Sequence, residues 1–165
     1  MKSTDLLKAQ HEDVRTIFKQ LLHGNGHSTE LLEKLATSLT AHMVIEQELF
    51  YPAVLSIKSD LVLEGYEEHA VGRFALKRLA KTKPTDRTFK AKVKTLKELI
   101  EHHIQEEEDK LFPASERALG ERSAPLCAEM KELFEATALG GYELAVGPSG
   151  AAIKSAKAPR ATALP

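Results

Sequence analysis

The sequence predicts an all-α fold, an antiparallel up-down-up-down four-helix bundle with a short fifth helix at its C-terminal end, and three observations carry that expectation. Four long segments place apolar residues at alternating steps of three and four, the period of a helix with one buried face. Short stretches rich in glycine, proline and small polar residues separate them. The second pair of segments also repeats the first, with chemically distinctive residues in the same order.

The first helix is expected over about 4–22, with Ser3, Thr4 or Asp5 as N-cap and Gly24-Asn25-Gly26 as its stop. Its seam reads Leu7, His11, Val14, Phe18, Leu21. The second is expected over about 28–50, with a seam of Leu32, Leu35, Leu39, His42, Glu46, Leu49 and with Pro52 to end it. The third runs over about 60–81 and sets Tyr66, His69, Arg73 and Leu76 on one face. The fourth opens at Thr85 or Asp86, carries Phe89, Val93, Leu96, Ile100, His103, Glu107 and Leu111, and meets Pro113 as its stop. A fifth, over about 124–138, has Ser123 as N-cap, Pro125 in its first turn and Gly140-Gly141 beyond it. Residues 1–138 are thus read as one domain, and 139–165, composed of Ala, Pro, Gly, Ser and Lys with isolated aliphatics, as a flexible tail.

Composition narrows the function. A chain of 165 residues needs no second core. Lys plus Arg (23) nearly balances Asp plus Glu (24), so no basic field invites nucleic acid or an anionic membrane. No apolar run suits a signal peptide or a membrane span, and the expected location is the cytoplasm. The single cysteine, Cys127, has no internal disulfide partner and reads as a small buried apolar residue of the fifth helix.

The unusual feature is histidine at core positions. His42 and Glu46 lie four residues apart on one helical face, as do His103 and Glu107. His102 and Glu106 lie about 100° off that seam and are set aside. His11-Glu-Asp-Val-Arg15 precedes the first pair by 31 residues, and His69-Ala-Val-Gly-Arg73 precedes the second by 34. Each half therefore supplies His, then His and Glu, around an approximate twofold axis. Buried carboxylates need a partner, either Arg15 and Arg73 in a salt-bridged core or a metal. Six residues recurring in order and in helical phase favour the metal. If two His served each metal and both Glu bridged, a solvent-derived bridge would leave a position open to O2, peroxide or nitric oxide. Such mixed nitrogen and oxygen ligation suits iron or manganese better than a closed zinc tetrahedron.

The ordered set His, His-x-x-x-Glu, His, His-x-x-x-Glu, with its Leu-Phe-Tyr-Pro and Leu-Phe-Pro endings, resembles the hemerythrin-like (HHE cation-binding) family over about residues 1–138. The resemblance implies two iron ions with an oxo or hydroxo bridge, held by His11, His42, Glu46, His69, His103 and Glu107. It departs from the oxygen carriers of that family. They have a second histidine where this chain has Arg73, and an aspartate where it has Glu108. The implied function is binding or reducing a small oxidant (O2, hydrogen peroxide or nitric oxide), which would include a peroxide- or NO-reducing activity. The alternative is a non-enzymatic iron or redox sensor or store. No protein partner is indicated.

The remaining residues carry plainer expectations. Tyr66, one turn before His69, is a core aromatic within reach of a metal or a ligand, and Tyr51 is a helix-end packing residue. His23, His27 and His102 are surface groups. The run from Glu106 to Asp109 is a solvated face with only Glu107 turned inward. Arg15 and Arg73 form ion pairs that orient the ligands.

Overall fold

The computed structural model describes residues 1–24 and 26–146. Its long helices are α1 (Ser3–His23), α2 (Ser28–Ile45), α3 (Ser59–Ala80) and α4 (Phe89–Glu106), followed by α5 (Ser123–Ala138) and α6 (Gly141–Val146). Each of α1 to α4 packs on the next and α4 packs back on α1, which closes the predicted four-helix bundle. The fifth helix lies along α1 and α2. No described helix is long and apolar enough to cross a membrane.

The caps differ in detail from expectation. The first helix starts one residue early, because the Lys2 amide donates to the Asp5 carboxylate at 3.0 Å and Ser3 and Thr4 are buried in packing contacts. Ser3 Oγ lies 2.9 Å from Ser123 Oγ, and Thr4 donates to Glu116 at 2.9 Å, so the start of α1 is tied to the end of the fold. Gly24, at φ 71°, ends α1 in the left-handed conformation that a Cβ would strain. Asn25 of the predicted stop lies outside the described residues. Before α4, the Asp86 side chain accepts from the Thr88 amide and hydroxyl at 2.7 Å each and stabilises the turn into the helix.

Pro52 and Pro113 do not end their helices. Each lies just beyond a π-helical turn, Glu46–Phe50 and Glu107–Leu111, after which the chain stays helical over Tyr51–Val54 and Phe112–Leu119. The residue before each proline, Tyr51 or Phe112, sends its N–H back five residues to the Glu46 or Glu107 carbonyl. The proline thereby enters the first turn of a fresh α segment, where its missing N–H costs little. The Gln47 carbonyl, which an N–H at position 52 would have served, accepts the Tyr66 hydroxyl at 3.1 Å. Tyr66 is therefore a brace for the π turn, and its hydroxyl is committed outside the cluster of ligand types.

Two apolar layers enclose the middle of the bundle. One is built on Val14, Phe18, Leu39, Leu76, Leu96 and Ile100, the other on Leu7, Ile45, Phe50, Val62, Leu111 and Phe112. Burying a side chain of this size stabilises the fold by about 1.5–3 kcal/mol. Cys127 is buried in α5 as expected. The segment expected to be tail from residue 139 begins as α6, where the Tyr142 hydroxyl donates to the Ala80 carbonyl at 2.6 Å. That bond satisfies an acceptor left open at the end of α3. The rest of the expected tail, 147–165, lies outside the described residues.

Candidate metal centre

His11, His42, Glu46, His69, His103 and Glu107 converge between the two apolar layers, and none is more than 4% exposed. Their functional atoms form a closed ring. The imidazole Nε2 atoms pair within each half, His11 to His42 at 3.2 Å and His69 to His103 at 3.1 Å. The carboxylates join the halves. Glu46 Oε2 lies 3.2 Å from both His42 Nε2 and His69 Nε2, and Glu107 Oε2 lies 3.4 Å from His11 Nε2 and 3.5 Å from His103 Nε2. A twofold operation exchanging His11 with His69, His42 with His103 and Glu46 with Glu107 maps the ring onto itself. This is the spatial form of the sequence repeat.

The donor set fits a cation. Both oxygens of Glu46 and Oε2 of Glu107 are buried with no hydrogen-bond partner, a cost of several kcal/mol unless positive charge lies between them. Two overlapping groups offer ligand atoms close enough for one ion each: His11, His42, Glu46 and Glu107, and Glu46, His69 and His103. The salt-bridged core is not built. Arg15 turns outward to Glu101 at 3.0 Å and Glu108 at 3.2 Å, while Arg73 donates to Gln47 Oε1 at 2.7 Å.

Protonation follows burial and neighbours. Burial and the adjacent His11 ring hold His42 well below the ordinary histidine value, and burial and His103 do the same to His69. For His103 burial opposes the charged form, but Glu107 and Glu68 outweigh it and raise the ring. Burial, then the Glu107 charge, pushes Glu46 well above the usual carboxylate range. Burial also opposes the Glu107 charge, but His103 and His11 hold that carboxyl below the usual range. The rings of His42 and His69 are thus held neutral, as metal ligands must be.

Outside the ring, three imidazoles are anchored through Nδ1. His11 meets Glu108 Oε1 at 2.8 Å, His42 meets Gln10 Oε1 at 2.8 Å and His103 meets Glu68 Oε2 at 2.6 Å. Such acceptors fix the ring's orientation and tautomer. Glu108 is therefore no part of a solvated face; it reaches across to α1 and is clamped by Arg15. The Nδ1 of His69 is buried without a partner. His102 is a surface group near Glu68 and Glu106, at 3.8 and 4.0 Å, and His23 and His27 are exposed.

Tyr51 is the residue that helical phase misplaced. Fully buried, its hydroxyl donates to Glu107 Oε1 at 2.9 Å, lies 3.3 Å from His69 Nε2, and its ring stacks on His69 at 5.4 Å between centroids. Burial and Glu107 hold the phenol well above its ordinary value, so it stays a donor. Its counterpart is Phe112, which stacks on His11 at 5.7 Å. Both lie five residues beyond a ring carboxylate and directly before a proline, and that alignment of the two copies was the signal available in the sequence. A small cavity of about 10 Å³ adjoins His42, His69 and His103 on the side closed by Val14, Leu39 and Ile100.

Comparisons with known proteins bear on the family and the fold. The sequence profile of the hemerythrin HHE cation binding domain matches residues 2–115. A DNA nickase of Nostoc sp. (strain PCC 7120 / SAG 25.82 / UTEX 2576) is 28% identical over 117 residues, which cover 69% of this chain and 33% of that protein. The chain thus spans about one third of that relative's length. A crystal structure of a hemerythrin HHE cation binding domain-containing protein from Mycobacterium kansasii superposes with a TM-score of 0.71 at 23% identity, over 82% of this chain and 89% of that one, a likeness of fold. With the profile lying over most of the bundle and a buried ring of histidine and glutamate at its centre, the chain belongs to the hemerythrin HHE cation-binding domain family.

Proposed function

We propose that the protein holds two iron ions in this ring and binds or reduces a small oxidant, with O2, hydrogen peroxide and nitric oxide as the candidate molecules. The observation that carries the reading is the pair of buried carboxylates whose inward oxygens have no hydrogen-bond partner and lie among four imidazole nitrogens. His11 and His42 would hold one iron, His69 and His103 the other, with Glu46 and Glu107 reaching both. When bound, iron supplies one-electron redox chemistry and an open coordination position.

The chain's own residues supply the rest. Both apolar layers keep bulk water from the ring. The adjoining cavity, at about 10 Å³, has room for a single water-sized molecule and excludes bulky organic substrates. Tyr51 holds one oxygen of Glu107 by donation and leaves Oε2 facing the imidazoles.

Metal analysis and absorption spectra of protein expressed with ample iron test this directly, followed by peroxide turnover. Two irons per chain with oxo-to-iron charge-transfer bands in the near ultraviolet are expected. Protein that carries no iron, and whose melting temperature is unmoved by chelation, would overturn the reading. Stoichiometric uptake of oxidant without turnover would assign the site to a sensor or store.

A further inference from the structure

Twofold symmetry of the ring stops at the residues that support it. In the first half both imidazoles are anchored through Nδ1, His42 by Gln10 and His11 by Glu108, which Arg15 itself clamps. In the second half only His103 is anchored, by Glu68, and the Nδ1 of His69 is buried and bare. Stacked on the first half is Phe112, whereas the ring stacked on the second half carries a hydroxyl 3.3 Å from His69 Nε2, the very atom that would face a metal.

These differences act in one direction. An imidazole held in place loses less freedom when it binds a metal, and partners of this kind change metal affinity by roughly 10–100-fold. A bare ring must be ordered by the metal itself. We infer that the two metal positions are inequivalent: the one bounded by His11 and His42 fills first and holds firmly, and the one bounded by His69 and His103 is the exchangeable position. The inference rests on the two-metal reading of the ring and adds to it an order of loading and release.

Symmetry also provides matched variants. Gln10 directly precedes His11 and anchors His42; Glu68 directly precedes His69 and anchors His103. The protein is loaded with cobalt(II), and metal release to a coloured chelator is followed in time. Wild-type protein should release its two equivalents in two phases separated by about tenfold or more. Gln10→Ala should accelerate the slow phase alone, by about tenfold. Glu68→Ala should accelerate the fast phase alone, and far-ultraviolet circular dichroism checks that each variant is folded. Release of both equivalents in one phase, or Gln10→Ala acting on the fast phase, would overturn the inference while leaving two-metal binding intact. Failure to retain either equivalent would remove the two-metal reading and this inference with it.

Discussion

A methyl group added at Gly65 would lie 2.6 Å from the Tyr51 hydroxyl oxygen and 3.0 Å from Cζ of its ring. Gly65 lies one turn before His69 on α3 and is buried, so the missing side chain is what admits the tyrosine to the ring of ligands.

Substituting Gly65→Ala should therefore destabilise the protein by about 1–3 kcal/mol through overpacking, even though alanine is the better helix former by about 1 kcal/mol. Tyr51→Phe in the same chain should recover part of that loss. A coupling of about 1 kcal/mol or more in a double-mutant cycle of denaturant melts is the expected result, and strict additivity would show that the two residues do not compete for space.

Glu46→Gln should have opposite effects with and without metal. In the metal-free protein it removes a buried carboxylate with two unpartnered oxygens, so stability should be unchanged or improved. In the loaded protein it weakens a ligand common to both groups, and the metal-dependent rise in stability, about 3 kcal/mol at a hundredfold excess over Kd, should largely vanish. Thermal melts with and without chelator read both effects.

Stability of the metal-free protein should fall as the pH drops below 6.5. His42 and His69 are depressed from the ordinary 6.5, so below that pH the unfolded chain takes up two protons the folded protein resists, and stability falls on acidification. Glu46, raised from the ordinary 4.5, keeps its proton to higher pH in the folded state and so opposes part of that fall. Above pH 6.5 the raised His103 acts the other way, because the proton it favours in the folded state is lost as pH rises. Denaturant midpoints measured across pH in chelator check the fall, and stability that rises as the pH drops below 6.5 would contradict it.

Tyr66→Phe should leave the Gln47 carbonyl without its partner and cost about 1 kcal/mol. Pro52→Ala returns an N–H that can serve that carbonyl, so the double variant should be less destabilised than the sum of the two single ones. Equal penalties in the presence and absence of Pro52 would disprove the link.

The parts of this structure that were legible in the sequence are those governed by ordinary helical phase. Apolar seams placed His11, His42, Glu46, His69, His103 and Glu107 inward, and the choice of His103 over its exposed neighbour His102 followed from a displacement of about 100°. Tyr51 was hidden by the same rule. Five residues beyond Glu46, it would lie about 140° away on a regular α-helix, but the π turn closes on the fifth residue and brings it back over the carboxylate. Prolines that read as terminators concealed the turn, since they sit where a π segment gives way to a new α start. Glu108 was hidden for another reason: its backbone position is peripheral, and its role depends on the distance to His11 across the bundle, which no single-helix projection contains.

The two carboxylates that cross between halves have a consequence for how the domain comes apart. Each cation group draws on both repeats, His11, His42 and Glu46 with Glu107 in one and His69 and His103 with Glu46 in the other. Neither hairpin thus owns the whole of either cage. Metal binding then acts as a clasp between the repeats, so that neither hairpin can open alone without releasing an ion, and local fluctuation at one end of the bundle is converted into an event of the entire molecule.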